Sequence, residues 1–410
     1  MKNAISNFDE LLVTPEFVAN PYPTLHRLRE EAPVYWCEAI GGWILTSYSD
    51  ILASFKDTAH FSNENRLGKA MAYLSSEKQA DYTPFKEHYA TKSLLHSDPP
   101  DHTRMRALIS TELNVKVVER MRPKIQETVN GLIDSLQSAG RMDVVSELAS
   151  PLPIGVIAQV LGVPRSDRHL FKVWADDLLA FQGVNKPSER DLMRAQGAIV
   201  AMRPYIRDMI EDRRRHPQDD LISRFAAAET NGGRMSDEEL ISTCVTLFVA
   251  GQETSISLIS NTIYTLLARR DQLEDLRRNP ELLASTLEES LRYESPVSRQ
   301  PRIMKGDAEL RGQKLTKGEM VFQMLNAANR DPAIFRNPDE FDIRRESNRH
   351  IAFGQGIHFC VGAALAKTEA FIAIGTAIKR LPNLHLVDEN ADWDLEKRNS
   401  RVLSTLKVEF

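Results

Sequence analysis

Cysteine, surplus positive charge and long apolar runs are all scarce in this chain. Its 410 residues hold three cysteines, Cys37, Cys244 and Cys360, far apart in sequence. That is too few and too scattered for a disulfide framework, and it suits a reducing cytosol. Lys and Arg number 52 against 57 Asp and Glu, a net charge of −5. The basic excess of a nucleic-acid binder is therefore missing. No Ser/Gly-rich or Pro-rich linker separates domains, and no repeat is visible. Residues 1–20 carry Asp9, Glu10 and Glu16 and no long apolar run, which argues against a signal peptide or membrane anchor. The expectation is one domain over 1–410, soluble and cytoplasmic.

What the chain has instead is helical periodicity. Asn20-Pro21 opens a helix with Leu25 and Leu28 on one face, stopped by Pro33. Pro33–Tyr35 and Trp43–Thr46 read as a hairpin around Gly41-Gly42, and Ser49 starts a short helix to Phe55. Phe61–Ser97 is irregular, as functional segments often are. Helical patterns then run to about Arg278. The longest opens at Ser236-Asp237-Glu238-Glu239, a capping box, and meets no proline before Pro280. A helix from there to about Arg269 would be roughly 50 Å long, with a buried middle at Leu247–Ala250. Pro280–Tyr293 and Val361–Leu381 are further helices. Pro296–Gln323 is β-like, and Asn399–Phe410 looks like a terminal strand or hairpin. The fold class predicted is mainly α with a smaller β portion.

Four stretches carry chemistry. Phe353-Gly354-Gln355-Gly356-Ile357-His358-Phe359-Cys360-Val361-Gly362 sets one cysteine at the end of a glycine-punctuated loop, directly before a helix. Helix N-termini favour a thiolate, and Gly354 and Gly356 can take positive φ. A lone cysteine is more often simply buried. Zinc is disfavoured because no second cysteine or tight Cys/His set lies nearby. Ala250-Gly251-Gln252-Glu253-Thr254 places an acid and a hydroxyl inside an apolar helix. Thr254 could bond back to its own helix and loosen a turn. Glu289 and Arg292 stand at i, i+3, a spacing common in surface pairs. His102 and Arg106 stand at i, i+4 in a helix opened by Asp98-Pro99-Pro100-Asp101.

Together, in their order along the chain and at their spacings, the four stretches resemble the cytochrome P450 family over nearly the whole chain. The resemblance implies a single-domain P450-type fold that binds haem b (iron protoporphyrin IX), with Cys360 as the thiolate ligand of the iron. It implies cofactor contacts from Phe353, Gly354 and Ala250, and propionate contacts from His102, Arg106, Arg302 and His358. Glu253 and Thr254 become the catalytic acid–alcohol pair that delivers protons. Glu289, Arg292 and Arg345 become a buried scaffold. Substrate walls are expected from Phe61–Ser97, the helix pair around Leu178–Ala195, and Thr246, Val249, Ala250, Val297, Ser298, Arg299, Asn399 and Ser400. The implied reaction inserts one atom of O2 into a small or medium-sized organic substrate. Electrons would come from a separate ferredoxin or flavodoxin with its reductase, docked on Arg104, Lys116, Arg120, Arg122 and Lys367. Oxidative coupling or desaturation, and a non-catalytic haem protein, are the alternatives. No nucleic-acid or membrane partner is expected.

Overall fold

The computed structural model describes residues 8–64, 71, 74–182, 187–229 and 233–410. Residues 1–7, much of the irregular stretch (65–70, 72–73), 183–186 within the expected helix pair, and the break at 230–232 lie outside the described residues. The chain divides into two compact units: residues 1–61, 121–152 and 253–410, and residues 62–120 and 153–252.

The first unit is built on a mixed sheet. Its strands run side by side in the order Val34–Cys37, Gly42–Leu45, Met320–Met324, Arg299–Met304 and Phe61–Ser62. Val34–Cys37 and Gly42–Leu45 form the expected antiparallel hairpin, with Trp36 opposite Trp43 and Gly41 at φ +72°. Gly42–Leu45 then pairs in parallel with Met320–Met324, which pairs antiparallel with Arg299–Met304. Alternate residues point to opposite faces. Trp43, Leu45 and Val321 join one apolar cluster with Ile51 and Phe55. Ile44, Phe322 and Met324 join another with Phe8, Leu12 and Leu25. Helices Tyr22–Glu31, Tyr48–Lys56, Leu283–Tyr293 and Ala363–Arg380 belong to the same unit.

The second unit is helical. Glu189–Arg215 starts with a capping box between Ser188 and Asp191. Its core includes Phe171, Phe181, Phe225 and Phe248, each at most 2% exposed. Gly162 sits at φ +81°, where an added Cβ would lie 2.2 Å from Asp220 Oδ2. That carboxylate accepts Arg213 Nε at 2.6 Å, so the turn closes on a buried ion pair that only glycine admits.

The long helix is real. Asp237–Leu267 runs 31 residues, about 46 Å at ~1.5 Å per residue. Its capping box is formed, with Glu239 N–H donating to Ser236 Oγ at 3.2 Å and Ser236 N–H to Glu239 Oε2 at 2.8 Å. It stays α-helical through Thr254, so the loosened turn expected there is absent. Its middle is not uniformly buried either: Phe248 and Val249 are, but Ala250 is exposed. The terminal stretch forms strands, as expected, but they pair with other segments and not with each other. Leu403–Thr405 pairs with Asp392–Trp393, while Lys407–Glu409 pairs with Arg141–Asp143 and His385–Leu386. One stretch, Val144–Leu161, is apolar and long enough to cross a membrane by composition, and 61% of it is buried within the protein.

Candidate active site

The cysteine loop is held open by its glycines. Gly354 and Gly356 both take φ +70°. A Cβ on Gly356 would lie 2.5 Å from the Phe55 carbonyl oxygen, so neither the turn nor the contact tolerates a side chain. Cys360 N–H donates to Phe353 O at 3.0 Å, Gly354 N–H to Ile351 O at 2.9 Å, and Phe359 N–H to Gly356 O at 3.1 Å. The chain then enters helix Ala363–Arg380 three residues past Cys360.

Burial sorts the cysteines. Cys37 and Cys244 are fully buried, and desolvation pushes both thiols up to about 12. Cys360 is only half-buried. Among the described residues no group of three or more His, Cys, Asp or Glu is placed to hold a metal ion. A metal at Cys360 would need its other ligands from a cofactor.

The rim residues fit an anionic group in each unit. In the first, Arg302 is 5% exposed and its guanidinium lies over Phe55 at 5.3 Å, the residue that also backs Gly356. It donates to Pro301 O at 2.9 Å and Gln300 Oε1 at 3.3 Å, and Gln300 also flanks Gly354. The structure thus brings Arg302 and the cysteine loop onto shared neighbours. His358 ends the 3-10 turn Gly356–His358. In the second unit, His102 is 2% exposed on helix Asp101–Glu112. Burial lowers its pKa, the Arg106 charge lowers it further, and Asp98 opposes both. A buried imidazole beside a guanidinium is the environment a carboxylate would relieve. Ala250, exposed beside buried Val249, offers an apolar methyl. Taken unit by unit, the groups are of the kind that would hold a haem propionate.

Glu253 is not idle. Its Oε2 accepts Lys397 Nζ at 2.6 Å, a half-buried ion pair that sequence reasoning missed. Glu369 was missed too. It lies 1% exposed on helix Ala363–Arg380, with the Ser255 hydroxyl donating to one oxygen and Oε2 without a partner. Burial pushes its pKa from 4.5 up to about 8. Below pH ~4.5 the group is neutral in folded and unfolded chain alike. Above that the unfolded chain ionises first, so this group's contribution to stability declines until about pH 8. Glu369→Gln should therefore raise stability at pH 7 by roughly 3 kcal/mol and leave it unchanged at pH 4. Denaturant unfolding of both proteins across that range is the check, and parallel pH profiles would refute it.

The expected scaffold is fully assembled. Arg292 and Glu289 are both 0% exposed, and Arg345 Nε joins Glu289 at 3.0 Å. Asn329 completes it, donating to Ser295 Oγ at 2.7 Å and accepting Ile351 N–H at 2.8 Å. Among the substrate residues, Val297 bridges Ser400, and Ser298 N–H donates to Asn399 O at 2.8 Å. Ser298, Arg299 and Ser400 line a small cleft with a volume of about 20 Å³. Thr246 is half-buried on the long helix and Val249 is buried. Two of the basic residues expected to dock a partner are engaged internally: Arg104 with Glu239, and Lys367 with Glu288 at 2.7 Å.

A single thiolate presented by a glycine-locked loop at the head of a helix is the ligation of haem-thiolate proteins, and that is the class this loop defines. The cytochrome P450 family model matches residues 169–409. The chain is 39% identical to the biotin biosynthesis cytochrome P450 of Bacillus subtilis over 91% of its length and 92% of the relative's. It is 39% identical to the cytochrome P450 monooxygenase PikC of Streptomyces venezuelae, covering 90% and 86%. The crystal structure of P450BioI in complex with hexadec-9Z-enoic acid ligated acyl carrier protein superposes with a TM-score of 0.89 at 36% identity, covering 97% of this chain and 100% of that one. The chain belongs to the cytochrome P450 family. It is a haem b-binding monooxygenase that acts on an organic substrate with O2 and electrons from a redox partner.

Proposed function

We propose that residues 1–410 work as one catalytic domain in the cytoplasm, with neither nucleic acid nor membrane as partner. Haem b, when bound, supplies the centre that activates O2. Cys360 would hold the iron as a thiolate, with Phe353, Gly354 and Ala250 against the ring. His102, Arg106, Arg302 and His358 would hold the propionates, the two arginines through bidentate bonds. The single observation that carries this reading is the Gly356–Phe55 contact, which holds the loop in the conformation that leaves Cys360 accessible.

Glu253 and Thr254 move protons in this reading. The Glu253 carboxylate takes a proton from solvent, and Thr254 Oγ1 passes one on toward the oxygen site. Lys397 holds Glu253 in its resting position, so the pair must loosen for the carboxylate to turn. Thr246, Val249, Ala250, Val297, Ser298, Arg299, Asn399 and Ser400 form the substrate walls. The relative solved with an acyl group on a carrier protein supports an acyl chain as substrate. A ferredoxin or flavodoxin with its reductase delivers the electrons. Lys116 and Arg120, both exposed, are better placed to greet it than the ion-paired Arg104 and Lys367.

Turnover under ¹⁸O2, after a Soret-shift screen for ligands, is the test. One labelled oxygen per product is expected, while an unlabelled desaturated or coupled product would overturn the insertion reading. Thr254→Ala should cut product per electron pair at least roughly tenfold and release peroxide instead. An unchanged yield would remove Thr254 from proton delivery.

A further inference from the structure

Strand Arg299–Met304 sends its two arginines to different faces of the sheet. Arg302 lies over Phe55, and Arg299 lies over Phe322 at 4.9 Å. Those phenylalanines belong to the two separate apolar clusters. Arg299 is 5% exposed, and its Nε donates to Asn399 Oδ1 at 2.6 Å. Among the described residues no carboxylate pairs with it. Other acids of this unit already hold cations: Glu294 holds Arg330 and Arg401, and Glu253 holds Lys397. The charge that acts on Arg299 is that of Arg398, which repels it. Burial lowers its pKa to about 10. A buried guanidinium without a countercharge is unusual, because desolvation of a cation is normally offset by an anion.

This arginine faces the small cleft of about 20 Å³ already described, which Ser298, Lys397, Arg398, Ser400 and Arg401 also line. Four cations and two hydroxyls converge there, and no acidic side chain lines it. We infer that this pocket binds a carboxylate, gripped by the Arg299 guanidinium and supported by Ser298, Ser400 and Lys397. The planar fork of arginine matches a carboxylate bidentately, which a scattered set of lysines would not. A bound carboxylate would also compete with Glu253 for Lys397. The carboxylate is either the acidic end of the substrate or a free effector. Only the first source rests on the proposed substrate walls.

The experiment uses the holoenzyme with three probes: dodecanoate, dodecanol and butyrate. Calorimetry gives affinities and the Soret band reports occupancy near the iron, for wild type, Arg299→Gln and Arg299→Lys. Wild type should bind dodecanoate at least roughly tenfold tighter than dodecanol, the scale of a charge-assisted hydrogen bond. Arg299→Gln should abolish that ratio and Arg299→Lys should keep part of it. Dodecanoate binding with a Soret shift identifies the substrate's own carboxylate. Butyrate binding that needs Arg299 and leaves the Soret band still identifies an effector. Equal wild-type affinity for dodecanoate and dodecanol, with no butyrate binding, overturns the inference even if Arg299→Gln does not fold. The reduced carbon monoxide spectrum of the wild type tests the haem-thiolate reading separately.

Discussion

Replacing Cys360 by serine is expected to remove the red-shifted band of the reduced carbon monoxide complex and abolish turnover. Serine keeps the loop's size but supplies an alcohol that stays protonated at neutral pH. The loop itself should survive, because its fixed points are elsewhere: the Cys360 N–H to Phe353 O bond involves only backbone, and the glycines close on Phe55. The variant should therefore fold, and the loss should be spectral and catalytic. Neither other cysteine can substitute, since both are buried with thiols near 12. Wild-type folded protein that lacks the red-shifted band, or a serine variant that retains it, would defeat the assignment.

The second large effect is expected at the buried scaffold. Arg292 donates to Glu289 through Nε and Nη2 at 2.7 Å each, and to Pro338 O at 2.6 Å and Glu340 O at 2.7 Å. Glu289 also accepts Arg345, Asn348 Nδ2 at 3.1 Å and the Asp342 N–H at 2.9 Å. One carboxylate thus gathers the helix and the polar segment that follows the sheet. Arg292→Met should lose about 3–5 kcal/mol, because it removes one of the two guanidinium groups on a buried carboxylate and the donor to the carbonyls of Pro338 and Asn329. Breaking the exposed i, i+3 pair Glu274–Arg277 should cost under ~1 kcal/mol. Guanidinium unfolding of both variants separates the cases. A loss at Arg292 no larger than at Arg277 would make the buried network incidental.

The difference between those pairs explains what could be read from sequence. Glu289–Arg292 and Glu274–Arg277 have the same spacing, and only the resemblance to a family distinguished them. Local signals carried well. The Ser236 capping box and the Gly41-Gly42 hairpin both form, because each is settled by residues a few positions apart. Within Phe61–Ser97, helices Ser76–Ala80 and Thr83–Ala90 were not foreseen, since short polar helices show no apolar period. The final strands took partners at Arg141–Asp143 and His385–Leu386, a choice made by packing across the chain. In the site, contiguous motifs were legible. Lys397 and Glu369 were not, because nothing in a polar loop or a helix announces a partner more than a hundred residues away. Arg299 was recognised as a wall residue, but its face depends on where its strand begins.

The grading of the three thiols has a consequence for how long the protein lasts. Oxygen chemistry leaks peroxide, and peroxide attacks thiolates. At pH 8 a thiol near 12 is ionised in only about one molecule in ten thousand. Cys37 and Cys244 are therefore nearly inert toward the enzyme's own by-product. Among the cysteines, the half-buried Cys360 is the one open to oxidation, and damage there ends activity.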